Sequence, residues 1–310
     1  MASVPRVVYW DNIPAPYAVE RYNTLAARAN IDLSVWFARR LDPDRSWLVD
    51  EATWRFSGGY VEDPSRSLAL AHRFIARCGT VRPDLILSLY GERGFVVGHA
   101  ILKGLGYRTA LLVLPTFDTW IRRARWKEGT KAFLFRSADA AKVPGPDGLR
   151  YAKRYGFPEQ RVFRVTQSTN VERYAAPIGA EERKRLREHL GVQGCVFLYV
   201  GRFLREKGLI DLIEAFRQAQ TRRPGMSLLL LGDGAYEGAL RQAARGIDGV
   251  TFLPFVQAQD IVPYYAAADA FVFPTLGDPH GQVIEEAHAA GLPIITTDAS
   301  QPIPDGPPVV

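Results

Sequence analysis

Two doubly wound α/β domains of the Rossmann-like kind, facing a cleft, are predicted by three features of this sequence. Short apolar runs alternate with helical patterns almost from end to end, as βαβ units do. The rhythm breaks in "RVFRVTQSTNVERYAAPIGAEERKRLREHLGV", residues 161–192, where a short strand gives way to a Pro- and Gly-punctuated connector and a charged helix, and then restarts, which puts the start of a second domain near residue 175. The length, 310 residues with 47% apolar content, is enough for two cores. The expected division is therefore 1–174 and 175–310, with a small-molecule site where the two domains face each other.

In the first domain, strands are expected at 5–10 ("PRVVYW"), 31–37 ("IDLSVWF"), 84–89 ("DLILSL"), 109–114 ("TALLVL") and 139–143 ("DAAKV"). Each is short and rich in β-branched, leucine or aromatic residues, the composition of strands covered on both faces. Helical periodicity fills the gaps at about 17–29, 64–78, 94–105, 120–136 and 147–155. A short strand in "RVFRVT" precedes the connector and a strongly charged helix. The second set of strands is 195–200 ("CVFLYV"), 227–231 ("SLLLL"), 249–253 ("GVTFL"), 270–273 ("AFVF") and 293–296 ("PIIT"). The proline-rich end, "TTDASQPIPDGPPVV", has no helical pattern, so the terminal helices of a complete second domain are expected to be missing, the chain being either truncated or irregular in its tail.

Thirty-nine basic against 33 acidic side chains give a net charge of +6, which favours anionic partners such as phosphates, nucleotides or an acidic membrane surface but does not argue for nucleic acid. Cys78 and Cys195 are the only cysteines and belong to no Cys-x-x-Cys pair, so neither a disulfide framework nor a zinc site is expected, and a cytoplasmic setting fits. The N-terminus lacks the pattern of a signal peptide. The longest apolar runs, such as "TALLVLP", are too short to span a bilayer.

Two stretches carry candidate chemistry. In "LYVGRFLREKGLIDLIEAF", residues 198–216, Gly201, Arg202 and Lys207 lie between a strand and the helix that starts near Gly208. Ligands in open parallel sheets bind beyond the strands' carboxyl ends, where helix N-termini add positive potential, so two cations here suit a diphosphate. Charge that serves only solubility is the alternative. In "FPTLGDPHGQVIEEAHAAGLPIITT", residues 273–297, a loop with Asp278 and His280 leads into a helix from about Gln282, and Glu286 lies eight positions after Asp278. The free N–H groups near Gly281, Gln282 and Val283 make a second anion-binding helix start, and an ionised carboxylate in the loop suits sugar hydroxyls. Asp278 as an ordinary turn residue, and Glu285 with Glu286 as a solvated face, are the alternatives.

Read jointly and in order, "YVGRFLREKG", "LLLLGDG", "VTFLPFV", "YYAAADAFVFPT" and "GDPHGQVIEEAHAAGLPIITT" resemble the retaining nucleotide-sugar glycosyltransferases of family 4, which have the GT-B fold. The resemblance runs from about residue 162 to 298, with weaker support in the first half. It implies that Arg202 and Lys207 bind the donor diphosphate, that Asp278 contacts hydroxyls of the transferred sugar, and that Glu286 contacts the ribose. Phe255 and Val256 fall where relatives seat the nucleobase, with plain core or loop residues as the alternative, and Gly232 and Gly234 form a tight turn at another strand end, read either as a turn alone, the favoured reading, or as a border of the nucleotide. The implied activity is metal-independent transfer of a hexose-like sugar from a nucleoside diphosphate sugar to an acceptor hydroxyl with retention, in glycan, polysaccharide or glycolipid biosynthesis. The donor is a substrate and no cofactor is implied; the other partner is a glycan or lipid-linked acceptor. A GT-B-fold sugar epimerase and a non-catalytic nucleotide-sugar binder or inactive fragment are the rival readings.

Departures from the family pattern are specific. The first carboxylate of its E-x(7)-E pair is shortened to Asp278, the Gly-Gly loop after the first strand is replaced by "DNIPAPYAVER", and "LVLPTFDTW" lacks the expected histidine, leaving Thr116, Phe117 and Asp118 as candidates to line the cleft. Asp42 and Asp44 in "LDPDRS" have Asp-x-Asp spacing but sit around Pro43 in a turn composition. His72, His99, His189, His280 and His288 show no ligand spacing, and no metal site is expected. Residues 119–138, "TWIRRARWKEGTKAFLFRSA", read either as a basic amphipathic helix on an anionic membrane, at the inner face of which a lipid-linked acceptor would lie, or as a solvated helix with a core-facing stripe.

Overall fold

The computed structural model of the protein describes residues 3–28, 30–41, 47–61, 67–89, 93–113, 125–165, 169–175, 178–278 and 281–300. The chain divides into two compact units, Met1–Gln167 and Ser168–Val310, so the boundary falls a few residues before the one expected near 175.

Among the described residues, unit 1 holds β1 (Arg6–Asp11), α1 (Pro16–Arg28), β2 (Asp32–Phe37), β3 (Ser57–Tyr60), α2 (Ser67–Val81), β4 (Leu85–Leu89), α3 (Arg93–Gly104), β5 (Thr109–Leu112), α4 (Arg125–Ser137), β6 (Ala140–Val143), α5 (Pro146–Arg154) and β7 (Val162–Arg164). The strands form one parallel sheet in the order β3-β2-β1-β4-β5-β6-β7. The alternation of β1 shows why "VVYW" is apolar without a break. Val7 and Tyr9 enter the core under α1 with Tyr22, Val35 and Phe37. Val8 and Trp10 enter the opposite core with Phe74, Ile86 and Phe95, where the Trp10 ring stacks on Phe74 at 3.8 Å between centroids. A sheet covered on both faces leaves no polar side to a central strand.

The strand β3 was not foreseen. Its sequence, "SGGY", has none of the branched residues that mark a strand; its glycines pair with β2 at the sheet edge through backbone hydrogen bonds, and Tyr60 adds a side-chain contact, to Phe37.

Unit 2 holds α6 (Val171–Tyr174), α7 (Ala180–Leu190), β8 (Val196–Val200), α8 (Leu209–Arg222), β9 (Ser227–Leu231), α9 (Glu237–Ala243), β10 (Val250–Leu253), α10 (Val262–Ala267), β11 (Ala270–Phe273), α11 (Gln282–Ala289) and β12 (Ile294–Thr296). Its parallel sheet runs β10-β9-β8-β11-β12, so chain order reverses between β8 and β11. The leucines of β9 are all buried, as a central parallel strand requires. Asp269, just before β11, accepts from the Val196 N–H and from Arg183 and Arg187 of α7, which fastens the charged connector helix to the sheet. The described part of the basic helix, α4, buries Leu134 and Phe135 and turns Lys131 onto Tyr151 at 3.2 Å. Both cysteines are free. No helix of the described residues is long and apolar enough to cross a membrane.

Candidate functional site

The reversal point of unit 2 gathers the predicted residues. β8 ends at Val200, and the loop beyond it carries Gly201, Arg202 and a short 3₁₀ turn, Arg205–Lys207. β11 ends at Phe273, and its loop carries Asp278 before α11 begins at Gln282. Adjacent parallel strands whose connections run to opposite sides leave a crevice at this place, so both loops open onto it.

The loops are tied together by main-chain contacts. The Leu276 N–H donates to the Glu206 carbonyl at 2.8 Å, and the Thr275 hydroxyl donates to the same oxygen at 3.3 Å. Gly208 closes the 3₁₀ turn at φ +66° and starts α8; a Cβ there would stand 2.1 Å from the Pro274 carbonyl oxygen. Only glycine permits both the left-handed backbone and that approach. Gly232, after β9, has φ +148°, and a Cβ on it would stand 1.9 Å from the Gly201 carbonyl oxygen, so the "LGDG" turn is pressed against the loop that carries Arg202. On the far side, the Asp278 N–H donates to the Ala299 carbonyl at 3.1 Å, and Asp278 makes a parallel bridge with Ser300.

Held this way, Lys207 Nζ lies 2.6 Å from Asp278 Oδ2, the side chains being 11% and 15% exposed. The ammonium also sits over the Phe273 ring, 5.5 Å from its centroid. Two residues 71 apart, to which the family resemblance gives the phosphate and the sugar, thus bind each other. The Arg202 side chain is half-buried and, among the described residues, has no carboxylate within ion-pair distance. Its carbonyl accepts from the Tyr199 hydroxyl at 3.0 Å. Burial first, and then the Asp278 charge, push the Tyr199 phenol well above its ordinary range, while Arg202 opposes them. Tyr199 is therefore a neutral donor that fixes the Arg202 backbone.

Glu286 lies on α11 with its carboxylate turned to α10, accepting from the Tyr265 hydroxyl at 2.7 Å. Tyr265 is fully buried and packs edge-on against Tyr174. Burial, followed by the Glu286 charge, raises its phenol strongly. Glu285 is half-buried, and burial raises its carboxyl, so the pair does not form a solvated face. Gly281 is buried against Ile284 and Phe273. The N–H groups of Gln282 and Val283 stand in the first turn of α11, where a helix offers them no intrahelical acceptor. Phe255 and Val256 are half-buried in the loop after β10, Val256 against the core.

The sequence reading missed Tyr199 and Tyr265, the two phenols that fix Arg202 and Glu286. Each is visible as a tyrosine in an otherwise aliphatic stretch, "VFLYV" and "YYAAADAF". Asp42, Asp44, Thr116, Phe117, Asp118 and His280 lie outside the described residues, as do 119–124 of the basic segment. Among the described residues, no group of three or more His, Cys, Asp or Glu is arranged to hold a metal ion.

Comparison with known proteins places this geometry in context. Residues 194–306, which span the site from Gly201 to Glu286, match the family model described as glycosyl transferases group 1. The sulfoquinovosyl transferase SQD2 of Arabidopsis thaliana is 24% identical over 255 residues, 79% of this chain and 48% of that protein. The mannosylfructose-phosphate synthase of Agrobacterium fabrum is 27% identical over 194 residues, 58% of this chain and 42% of its own length. The chain thus spans about half the length of these curated relatives. The structure of Anabaena Alr3699/HepE in complex with UDP and glucose superposes with a TM-score of 0.75 at 18% identity, covering 96% of this chain and 81% of that one. At that identity the likeness is one of fold, and the fold is the GT-B type built from Rossmann-like units.

Proposed function

We propose that this chain is a retaining glycosyltransferase of family 4 that moves a sugar from a nucleoside diphosphate sugar to an acceptor hydroxyl, without a metal ion, in glycan, polysaccharide or glycolipid biosynthesis. The observation that carries the reading is the Lys207–Asp278 pair beside Arg202 at the strand reversal, inside the segment that matches group 1 glycosyltransferases. The difficult step is departure of the diphosphate while positive charge builds on the sugar ring. Arg202, Lys207 and the first-turn amides of α11 stabilise the negative charge that develops, from positions set before the reaction starts. As the diphosphate draws Lys207, the Asp278 carboxylate becomes an acceptor for a sugar hydroxyl, which couples arrival of the phosphate to the grip on the sugar.

In a front-face displacement the acceptor oxygen bonds to the anomeric carbon and the bond to the phosphate oxygen breaks with its electron pair. The acceptor proton passes to that same phosphate oxygen, so no protein nucleophile is required. Glu286, held by Tyr265, is the residue this reading assigns to the ribose. HepE is solved with UDP and glucose, which makes UDP-glucose the first donor to try. A cytoplasmic site of action, with a lipid-linked acceptor at the inner membrane face, belongs to the same proposal.

Incubation with a panel of labelled nucleotide sugars and candidate acceptors, with the product anomer read by NMR, tests this reading. A glycoside with the donor's anomeric configuration is the expected product. Epimerised donor, or saturable donor binding with no transfer to any acceptor, overturns it.

A further inference from the structure

At the carboxyl ends of the unit-1 strands lies a cavity of about 220 Å³, entirely within that unit and lined by the ends of β1, β4, β5 and β6 and the first turns of α1. Among the described residues, three charged side chains reach it: Asp11, Arg21 and Lys142. Asp11 is already engaged, accepting from the Tyr22 hydroxyl and from the Asn12 N–H, with Arg21 Nη2 at 3.9 Å. Arg21 is 17% exposed, and its Nε is buried with no hydrogen-bond partner among the described residues. The Asn12 side-chain oxygen, on the same wall, is buried and unpartnered among them too.

Lys142 is the unusual member. It sits in β6, between β5 and β7, a position that parallel sheets give to aliphatic residues. Its neighbours Ala141 and Val143 enter the core on the other face, so its side chain lies on the α1 side, toward the cavity. Among the described residues no carboxylate comes within ion-pair distance of its ammonium. Burial, and then Arg21, pull its pKa down to about 8 against the opposing Asp11. Two cations and one occupied carboxylate around a cavity, with an unused guanidinium N–H, form an arrangement that costs folding free energy unless an anion completes it.

We propose that this cavity binds a phosphate or carboxylate group of a small ligand, with Arg21 and Lys142 as its cations and Asn12 accepting from a neighbouring hydroxyl. That the ligand is the acceptor of the transfer reaction rests on the reading above; the anion site itself does not. A soluble phosphomonoester and a phospholipid headgroup share this chemistry.

The test is calorimetric titration of the full chain carrying Arg202→Ala, which weakens anion binding in unit 2. The probes are glycerol 3-phosphate, glycerate, and vesicles of phosphatidylglycerol or of phosphatidylcholine. Saturable binding of at least one anionic probe is expected, weakened about tenfold or more by Lys142→Met or Lys142→Gln and restored by Lys142→Arg. Lys142→Met should melt above its parent, because an uncompensated charge has gone, which separates lost binding from lost folding. Lys142-dependent binding of glycerol 3-phosphate or glycerate assigns the anion to a soluble ligand, and of phosphatidylglycerol vesicles alone to a lipid. Absence of binding by every anionic probe, or binding that Lys142→Met and Arg21→Gln leave unchanged, overturns the proposal. A failed donor panel leaves these titrations standing, and their failure leaves the donor reading standing.

Discussion

Lys207 in unit 2 and Lys142 in unit 1 are both largely desolvated cations beyond or near the ends of parallel strands, yet the two units treat them oppositely. Lys207 has a carboxylate at 2.6 Å and an aromatic ring beneath it. Lys142 has the Arg21 charge nearby and, among the described residues, no carboxylate within ion-pair distance. The paired lysine is stable without a ligand, and under the proposed function a diphosphate would compete with Asp278 for it. The unpaired one raises the energy of the folded state, and an anion that arrives removes that cost, so binding there is coupled directly to stability.

The largest effect that sharpens this contrast is expected in catalysis. Arg202→Ala removes a cation that no described carboxylate engages and whose backbone Tyr199 holds. It should lower kcat/KM with the true substrates by about 10²–10³, the usual loss when one preorganised charge-stabilising donor is deleted. Steady-state kinetics with unchanged kcat/KM would place the diphosphate elsewhere.

Removing a partner probes the same contrast through stability. Asp278→Asn leaves Lys207 desolvated with a weaker acceptor, and should cost roughly 2–3 kcal/mol, somewhat less than the roughly 3–5 kcal/mol of losing a buried partner outright, because the amide oxygen still accepts. Chemical denaturation followed through unit 2 measures it. A loss below about 0.5 kcal/mol would mean that the pair is solvated like a surface bridge and that the two lysines do not differ as argued.

The strand rhythm exposed both sheets because a parallel strand covered on both faces has to be apolar along its whole length, as "RVVYW" and "SLLLL" are. It hid β3, whose glycines pair through backbone alone. For the site, position at two strand-to-helix junctions marked Arg202, Lys207, Asp278 and Glu286 as candidates, and the resemblance to family 4 motifs supplied the role expected of each. Neither revealed which of them touch, because Lys207 and Asp278 meet only through the order in which β8 and β11 lie side by side. Lys142 escaped notice for a similar reason. Within "DAAKV" a single lysine looks like the solvent side of an edge strand, and only the pairing of β6 with both β5 and β7 makes it an interior residue.

The close approach of the two unit-2 loops is tested by a pair of glycines with the same backbone. Gly208 and Gly191 both have φ +66°, but a Cβ meets the Pro274 carbonyl oxygen at 2.1 Å in the first and nothing within 4 Å in the second. Gly191→Ala should cost about 1–2 kcal/mol, the left-handed penalty alone. Gly208→Ala should cost at least about 1 kcal/mol more, because the loop holding Asp278 has to move. Equal losses would show that Pro274 yields freely and that Gly208 does not set the spacing of Lys207 and Asp278.

The smallest effect concerns pH and bears on Lys142 alone. A lysine whose folded pKa is pulled down to about 8, below an unfolded value of about 10.4, binds fewer protons in the folded state than in the unfolded state between those limits. Stability from this group therefore rises with pH through that window: its cost is fully present below about pH 8 and is relieved as the ammonium deprotonates. Among the described residues, the charged and titratable groups around it are Arg21 and Tyr17 on α1 and Asp11 on β1, with Tyr9 and Tyr22 beside them. Arg21 stays protonated throughout, and burial holds the Tyr9 and Tyr22 phenols above their ordinary range, so near pH 10 the unfolded chain ionises them first and stability falls; that background is shared by the protein and the variant and cancels in their difference. Unfolding free energies of the protein and of Lys142→Met, measured from pH 7 to 10, should converge as pH rises, with the variant the more stable at pH 7. Parallel curves would mean that Lys142 is already compensated, and the contrast with Lys207 would then lose its physical basis.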